Sequence, residues 1–166
     1  MHDENCINLA KYRIDTARET LNVAKECLEN KHYKDSINRS YYASFYAARA
    51  ILALERIDFK RHKDVIAYFN KNYVATGIFE KDIGRKLARL QQKREQSDYD
   101  DFFIASKEDA ETQCENAQSI IEAVKKYLKE KYEVDANVNI KMQVFWKIRM
   151  YKKRHSYFPF FSFHLS

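Results

Sequence analysis

Residues 38–49 read Asn38-Arg39-Ser40-Tyr41-Tyr42-Ala43-Ser44-Phe45-Tyr46-Ala47-Ala48-Arg49. The run contains no Gly or Pro, and alanines and aromatics alternate with a few polar groups. Ile37, Tyr41, Ser44, Ala48 and Ile51 fall on one helical stripe, with Leu52 and Leu54 beside it. That pattern predicts a helix from about Tyr33 to Ile57 that is buried on more than one side.

The flanking sequence must supply what buries it. Upstream, Ile7, Ala10, Ile14, Ala17, Leu21, Ala24 and Leu28 recur at steps of three and four, which predicts a long amphipathic helix. Downstream, after the charged joint Asp58-Phe59-Lys60-Arg61, a shorter periodic piece holds Val65, Ile66, Phe69 and Tyr73 and stops at Thr76-Gly77, where Gly supplies a C-cap. Ile83, Leu87, Leu90 and Arg94 then share one face of a fourth helix. The acidic, aromatic stretch Ser97–Phe103 reads as a loop folded over the helices. Ser106 followed by Asp109 resembles a cap, and Ala110, Cys114, Ala117, Ile121, Val124 and Leu128 form a last stripe ending near Tyr132.

Two Gly and one Pro in 166 residues leave too few turn residues for a many-stranded sheet, so the fold class is all-α with about five helices. The length suits one core, assigned to residues 1–133. Residues 134–166 are a basic, aromatic tail, expected outside the bundle as a disordered, accessory or artefactual extension. Its basic run beside Tyr157–Phe163 also fits nucleic acid or an anionic membrane surface.

The net charge of +6 belongs to that tail. Lys141, Lys147, Arg149, Lys152, Lys153 and Arg154 all follow residue 136 and no acidic residue does, so residues 1–136 are formally neutral. Overall basicity therefore does not argue for a phosphate-binding face on the body. Cys6, Cys27 and Cys114 contain no CxxC pair, which speaks against a disulfide framework or structural zinc; Cys27 and Cys114 read as small core residues. The start MHDENC lacks signal-peptide features and no run of about 18 apolar residues is present, so the expected location is cytoplasmic, without membrane insertion. Glycine-rich phosphate loops, HExxH and GxSxG are missing too, and no cofactor or metal is expected.

The candidate chemistry lies on the 38–49 helix. Arg39, Tyr42, Tyr46 and Arg49 recur on one face, where a guanidinium and phenols could hold a phosphodiester. The competing reading pairs Arg39 with Asp35 at i,i+4 and packs the tyrosines in the core. Arg94 continues an apolar stripe, which directs its charge inward, with Asp98 as partner; it is either a structural clamp or one wall of a site. His62, at a helix start, is either a capping or surface residue or an acid–base group.

Asn38-Arg39-x-Tyr41-Tyr42-Ala43-x-Phe45-Tyr46-Ala47-Ala48, followed after a gap by Arg94-x-x-x-Asp98-Tyr99, resembles the signature of small prokaryotic HEPN proteins. Lys60-Arg61-His62, the Gly77 region and the final amphipathic helix keep the family's order, and the resemblance covers roughly Leu9 to Leu128. It implies an up-and-down helical bundle that forms a homodimer and works with a minimal nucleotidyltransferase in a toxin–antitoxin pair. It also implies RNA as the substrate of catalytic members, cleaved without metal by attack of the ribose 2′-hydroxyl on the adjacent phosphate. The catalytic hallmark is an Arg followed by four to six residues and a His. Counting from Arg39, those places hold Ser44, Phe45 and Tyr46; Arg56 and His62 have the spacing but straddle the Asp58–Arg61 joint. An endoribonuclease reading would use Arg39 and Arg94 for phosphorane charge and Tyr42, Tyr46 or His62 for the proton. A binding reading would use Arg39, Arg49, Arg94, Asp98 and Tyr99 for RNA or nucleotide. The family further implies tyrosine modification by the partner, with Tyr42, Tyr46 and Tyr99 as candidates. The alternatives are a non-catalytic binding module and a plain helical scaffold.

Overall fold

Small side chains decide how the helices meet. A computed structural model describes residues 4–132, in which five α-helices run α1 Glu4–Glu29, α2 Tyr33–Leu54, α3 His62–Phe69, α4 Lys81–Tyr99 and α5 Lys107–Tyr132. The helix α1 buries Ala10, Ile14, Ala17, Leu21 and Ala24, the alternating four–three stripe read from the sequence. Its neighbour α2 buries Ala43, Ala47, Ala48, Ala50 and Ala53 together with Ser36, Ser40 and Ser44. Residues this short let helix backbones approach closely, so α2 packs against α1, α3, α4 and α5 and forms the centre of the bundle.

Burying serines requires partners for their hydroxyls. Ser36 donates to the Ala24 carbonyl of α1 at 2.8 Å, Ser44 to the Ser40 carbonyl at 3.1 Å, and both Ser36 and Ser40 lie within 3.4 Å of the Cys114 sulfur of α5. Cys114 is thus a core residue as expected, whereas Cys27 is only partly covered because it sits at the outer edge of the α1 stripe.

The helices end without much glycine. Lys31 and Arg56 take left-handed backbone angles, φ 64° and 58°. The amides of His32 and Ile57 reach back to the carbonyls of Cys27 and Leu52, closing α1 and α2 with the same two-bond motif. This turn stops α2 at Leu54, short of the expected Ile57. The short third helix passes into a π-helical turn, Asn70–Val74, and Gly77 at φ 79° completes the exit.

The expected loop from Ser97 to Phe103 is corrected at its start, with residues 100–106 non-helical. The fourth helix extends through Tyr99, sustained by an Arg94–Asp98 pair one turn apart, and Tyr99, Phe102 and Ile104 project outward, 78–92% exposed. The Ser106 hydroxyl accepts from the Asp109 amide at 3.0 Å, the expected cap of α5. The tail assigned to residues 134–166 lies outside the described residues. Among the described residues no helix is long and apolar enough to cross a membrane.

Gly84 marks the tightest crossing, since a Cβ there would stand 3.0 Å from both Asn70 Oδ1 and Val74 Cγ1 of the π-helical turn. Gly84→Val is expected to lower the unfolding free energy by about 1–3 kcal/mol through overpacking. Urea denaturation checks this; an unchanged midpoint would mean that α4 and the turn separate freely.

Candidate functional site

The helix α2 is covered along most of its length, and its larger polar side chains emerge on the flank facing α4 and the start of α3. Arg94 arrives there from α4. Its guanidinium carbon stands 5.8 Å from the centre of the Tyr41 ring, 5.9 Å from Tyr42 and 5.9 Å from Tyr99, and one terminal nitrogen is 3.5 Å from the Tyr42 hydroxyl. Nε lies 2.9 Å from Asp98 Oδ2, but its N–H is not aimed at that oxygen, so charge rather than a linear hydrogen bond holds the pair. Asn38 of α2 donates to the other Asp98 oxygen at 3.2 Å. Burial works against the Arg94 charge, yet Asp98 and the Tyr42 hydroxyl more than offset it, and the guanidinium pKa is raised.

His62 enters from the first turn of α3 and lies against α2. Its ring centre is 4.2 Å from Phe45, 5.7 Å from Tyr42 in an edge-on arrangement, and 6.2 Å from Tyr41, whose hydroxyl is 3.4 Å from Nδ1. Loss of solvent is the main force lowering the imidazole pKa from 6.5, and the positive charges of Arg94 and Arg49 add to it. The ring is therefore mostly neutral at pH 7. The same burial pushes the Tyr41 phenol up to about 12, so it stays protonated.

Beyond Phe45, Arg49 leaves this group for Asp58 in the joint before α3, with one terminal nitrogen 2.7 and 2.9 Å from the two carboxylate oxygens. Arg13 of α1 lies 3.7 Å from the same carboxylate and donates to the Arg49 carbonyl at 2.8 Å.

Of the residues singled out in the sequence, Tyr42, His62, Arg94, Asp98 and Tyr99 come together. Tyr46 flanks them, its ring centre 6.5 Å from that of Tyr42. Arg39 does not join: it is exposed and makes no hydrogen bond or ion pair with another described residue, and the alternative Asp35–Arg39 pair does not form. Arg49 is diverted to Asp58. Arg56 occupies the left-handed turn that closes α2, and the guanidiniums that act on the His62 charge are Arg94 and Arg49. Asn38, Tyr41, Arg13 and Asp58 were not singled out for the site. Tyr41 lay on the apolar stripe, and Arg13 and Asp58 carry no spacing signal that links them to α2. Among the described residues no group of three or more His, Cys, Asp or Glu side chains is placed to hold a metal ion.

Chemically, the cluster offers an uncharged imidazole, a guanidinium only partly spent on a carboxylate, and phenol and ring faces. Such a set can hold an anionic phosphodiester and a base while accepting a proton.

The HEPN domain model matches residues 10–127. Relatives include a UPF0332 protein of Thermotoga maritima, 32% identical over 69% of this chain and 86% of its own length. Another, of Methanocaldococcus jannaschii, bears the name "Putative toxin" and is 35% identical over 70% of this chain and 87% of its own length. A second M. jannaschii protein of that name is 32% identical over 76% of this chain and 92% of its own length.

The lowered His62 pKa has a consequence for stability. Below pH 6.5 the unfolded chain takes up the imidazole proton before the folded chain does, so stability falls as pH drops through that value toward the lower folded pKa. Urea midpoints at pH 7.5 and 5.5 should show a smaller loss on acidification for His62→Gln than for the parent; equal losses would mean that His62 titrates as it does in the unfolded chain.

Proposed function

Because the chain belongs to the HEPN domain family, we propose that it is a toxin-like HEPN protein acting on RNA, cleaving it without metal at the cluster of His62, Arg94, Tyr42 and Tyr41. The observation that carries this reading is the neutral imidazole of His62, packed on the α2 aromatics within the fields of Arg94 and Arg49. It supplies the acid–base group that Ser44, Phe45 and Tyr46 cannot.

The Tyr41 hydroxyl lies 3.4 Å from Nδ1, and in the tautomer that carries its proton on Nδ1 the basic nitrogen is Nε2. It takes the proton of a ribose 2′-hydroxyl as the 2′-oxygen bonds to phosphorus. The bond from phosphorus to the 5′-oxygen then breaks, the leaving oxygen takes a proton from water, and the imidazolium returns its proton to the hydroxide so formed. The products are a 2′,3′-cyclic phosphate and a 5′-hydroxyl. Arg94 and the Tyr42 hydroxyl face the charge that develops on the phosphorane oxygens. Arg39, exposed on the same helix, is available to a neighbouring phosphate, and Tyr99 offers a ring face to a base. The family resemblance and the names of the two M. jannaschii relatives support a toxin–antitoxin module, with a homodimer as the working unit and a minimal nucleotidyltransferase as partner.

A second reading, a binding module without chemistry, draws on the Asp98 carboxylate already set against Arg94. Incubation of total RNA and a tRNA pool with the purified chain in EDTA separates the two. Cleavage is expected to fall about a hundredfold or more in His62→Ala and Arg94→Ala variants with thermal midpoints matched to the parent. Absence of cleavage by the parent would leave the binding reading.

A further inference from the structure

The second guanidinium cluster is built for more anion than it holds. Arg13 and Arg49 both reach one carboxylate, Asp58; the arginine side chains are only 11% and 25% exposed, whereas Asp58 is 59% exposed. Arg49 contacts both Asp58 oxygens through a single nitrogen, and its Nε is buried without a hydrogen-bond partner among the described residues. Arg13 uses Nη1 for the Arg49 carbonyl and stands 3.7 Å from the carboxylate, outside hydrogen-bond range. Two positive charges thus converge on one negative charge at the protein surface. The Arg13 guanidinium pKa is lowered, mainly by burial and then by repulsion from Arg49, and Asp58 offsets this only in part. Asp58 itself belongs to the joint between α2 and α3, where it also accepts from the Phe59 amide at 3.0 Å.

The position of this cluster relates it to the candidate site. The Arg49 guanidinium carbon lies 5.8 Å from the centre of the Phe45 ring, which is also the ring nearest His62. Arg94 meets α2 at Tyr42, seven residues before Arg49, or about 10 Å along a helix that rises about 1.5 Å per residue. A stacked strand advances about 3.4 Å per nucleotide, so that span is on the order of three nucleotides.

We infer that Arg13 and Arg49 form a second phosphate subsite for the RNA strand, on the far side of His62 from Arg94, and that the Asp58 carboxylate occupies it until a strand phosphate takes its place. The inference rests on the RNA reading above. It assigns binding to Arg13, a residue of α1, and makes Asp58 a competitor of the substrate rather than a participant in the chemistry.

The test is fluorescence anisotropy with a labelled 2′-O-methyl oligonucleotide, which lacks the 2′-hydroxyl nucleophile, titrated across a range of salt concentrations. Asp58→Asn is expected to bind several-fold more tightly than the parent. Arg13→Gln is expected to bind more weakly, with the slope of log affinity against log salt reduced by about 0.7, the value for one phosphate contact to a single strand. Parent binding that neither variant changes, at matched thermal midpoints, would overturn the subsite and leave the RNA reading standing. Failure of the parent to bind any oligonucleotide would overturn both. If Asp58→Asn does not fold, the salt slope of Arg13→Gln decides by the same criterion.

Discussion

Everything in this bundle depends on α2 being packed by other helices along nearly its whole length. A helix so enclosed cannot carry many long polar side chains, and the sequence meets that demand with alanines and with serines whose hydroxyls bond to neighbouring backbone or to the Cys114 sulfur. Several of the longer polar residues of α2 lie on the flank facing α4 and the start of α3. Residues 38, 42, 46 and 49 lie on that narrow arc, and whatever reaches them must come from α4, from the joint before α3 or from α1. The site is therefore assembled from three parts of the chain, α4, the joint leading into α3 and α1, on one helix that supplies the floor.

Electrostatics then divides that floor into two ends. At one end Arg94 is balanced by Asp98, which Asn38 steadies; at the other Arg49 and Arg13 are balanced incompletely by Asp58. Between them sits an imidazole whose neighbours are rings. An apolar surround disfavours a charged imidazole, and two flanking guanidiniums disfavour it further, so both forces act in the same direction on His62. The tyrosines serve this arrangement as surfaces as much as through their hydroxyls. Tyr41 stays protonated because it is buried, and its hydroxyl stands 3.4 Å from Nδ1 of the histidine.

The helices were legible because each follows a simple three–four periodicity, and burial of Ala10, Ile14, Ala17, Leu21 and Ala24 on α1 follows the stripe read from sequence. Helix ends were less legible. A left-handed Lys31 or Arg56 looks like any surface residue, and the continuation of α4 to Tyr99 depends on an Arg94–Asp98 pair that competes with the loop-like composition of the following acidic stretch. The Arg94–Asp98 half of the cluster could be read from spacing because both residues lie on one helix. The His62 half could not: its contacts with Tyr41, Tyr42 and Phe45 span the joint between α2 and α3, where no period applies. Arg13 and Asp58 are further examples, the first joined to Arg49 by the close packing of α1 on α2 and the second by the path of the joint after α2.

Placing the histidine at the start of α3 instead of on α2 changes what holds it. A side chain on α2 would be fixed by the bundle itself; His62 is fixed by its ring contacts and by a joint of seven residues between two helices. Within that joint Asp58 is anchored to Arg49, and Arg61, just before the helix, pairs with Asp64 through two nitrogens at 2.8 and 3.2 Å. The Arg49–Asp58 pair thus has two effects at once: it fills a cationic surface site, and it ties down the segment that delivers the imidazole. An anion that displaced Asp58 would bind beside His62 while loosening the chain four residues before it. Anion occupancy and histidine placement are then coupled through one carboxylate, an arrangement that a histidine carried on α2 would not produce.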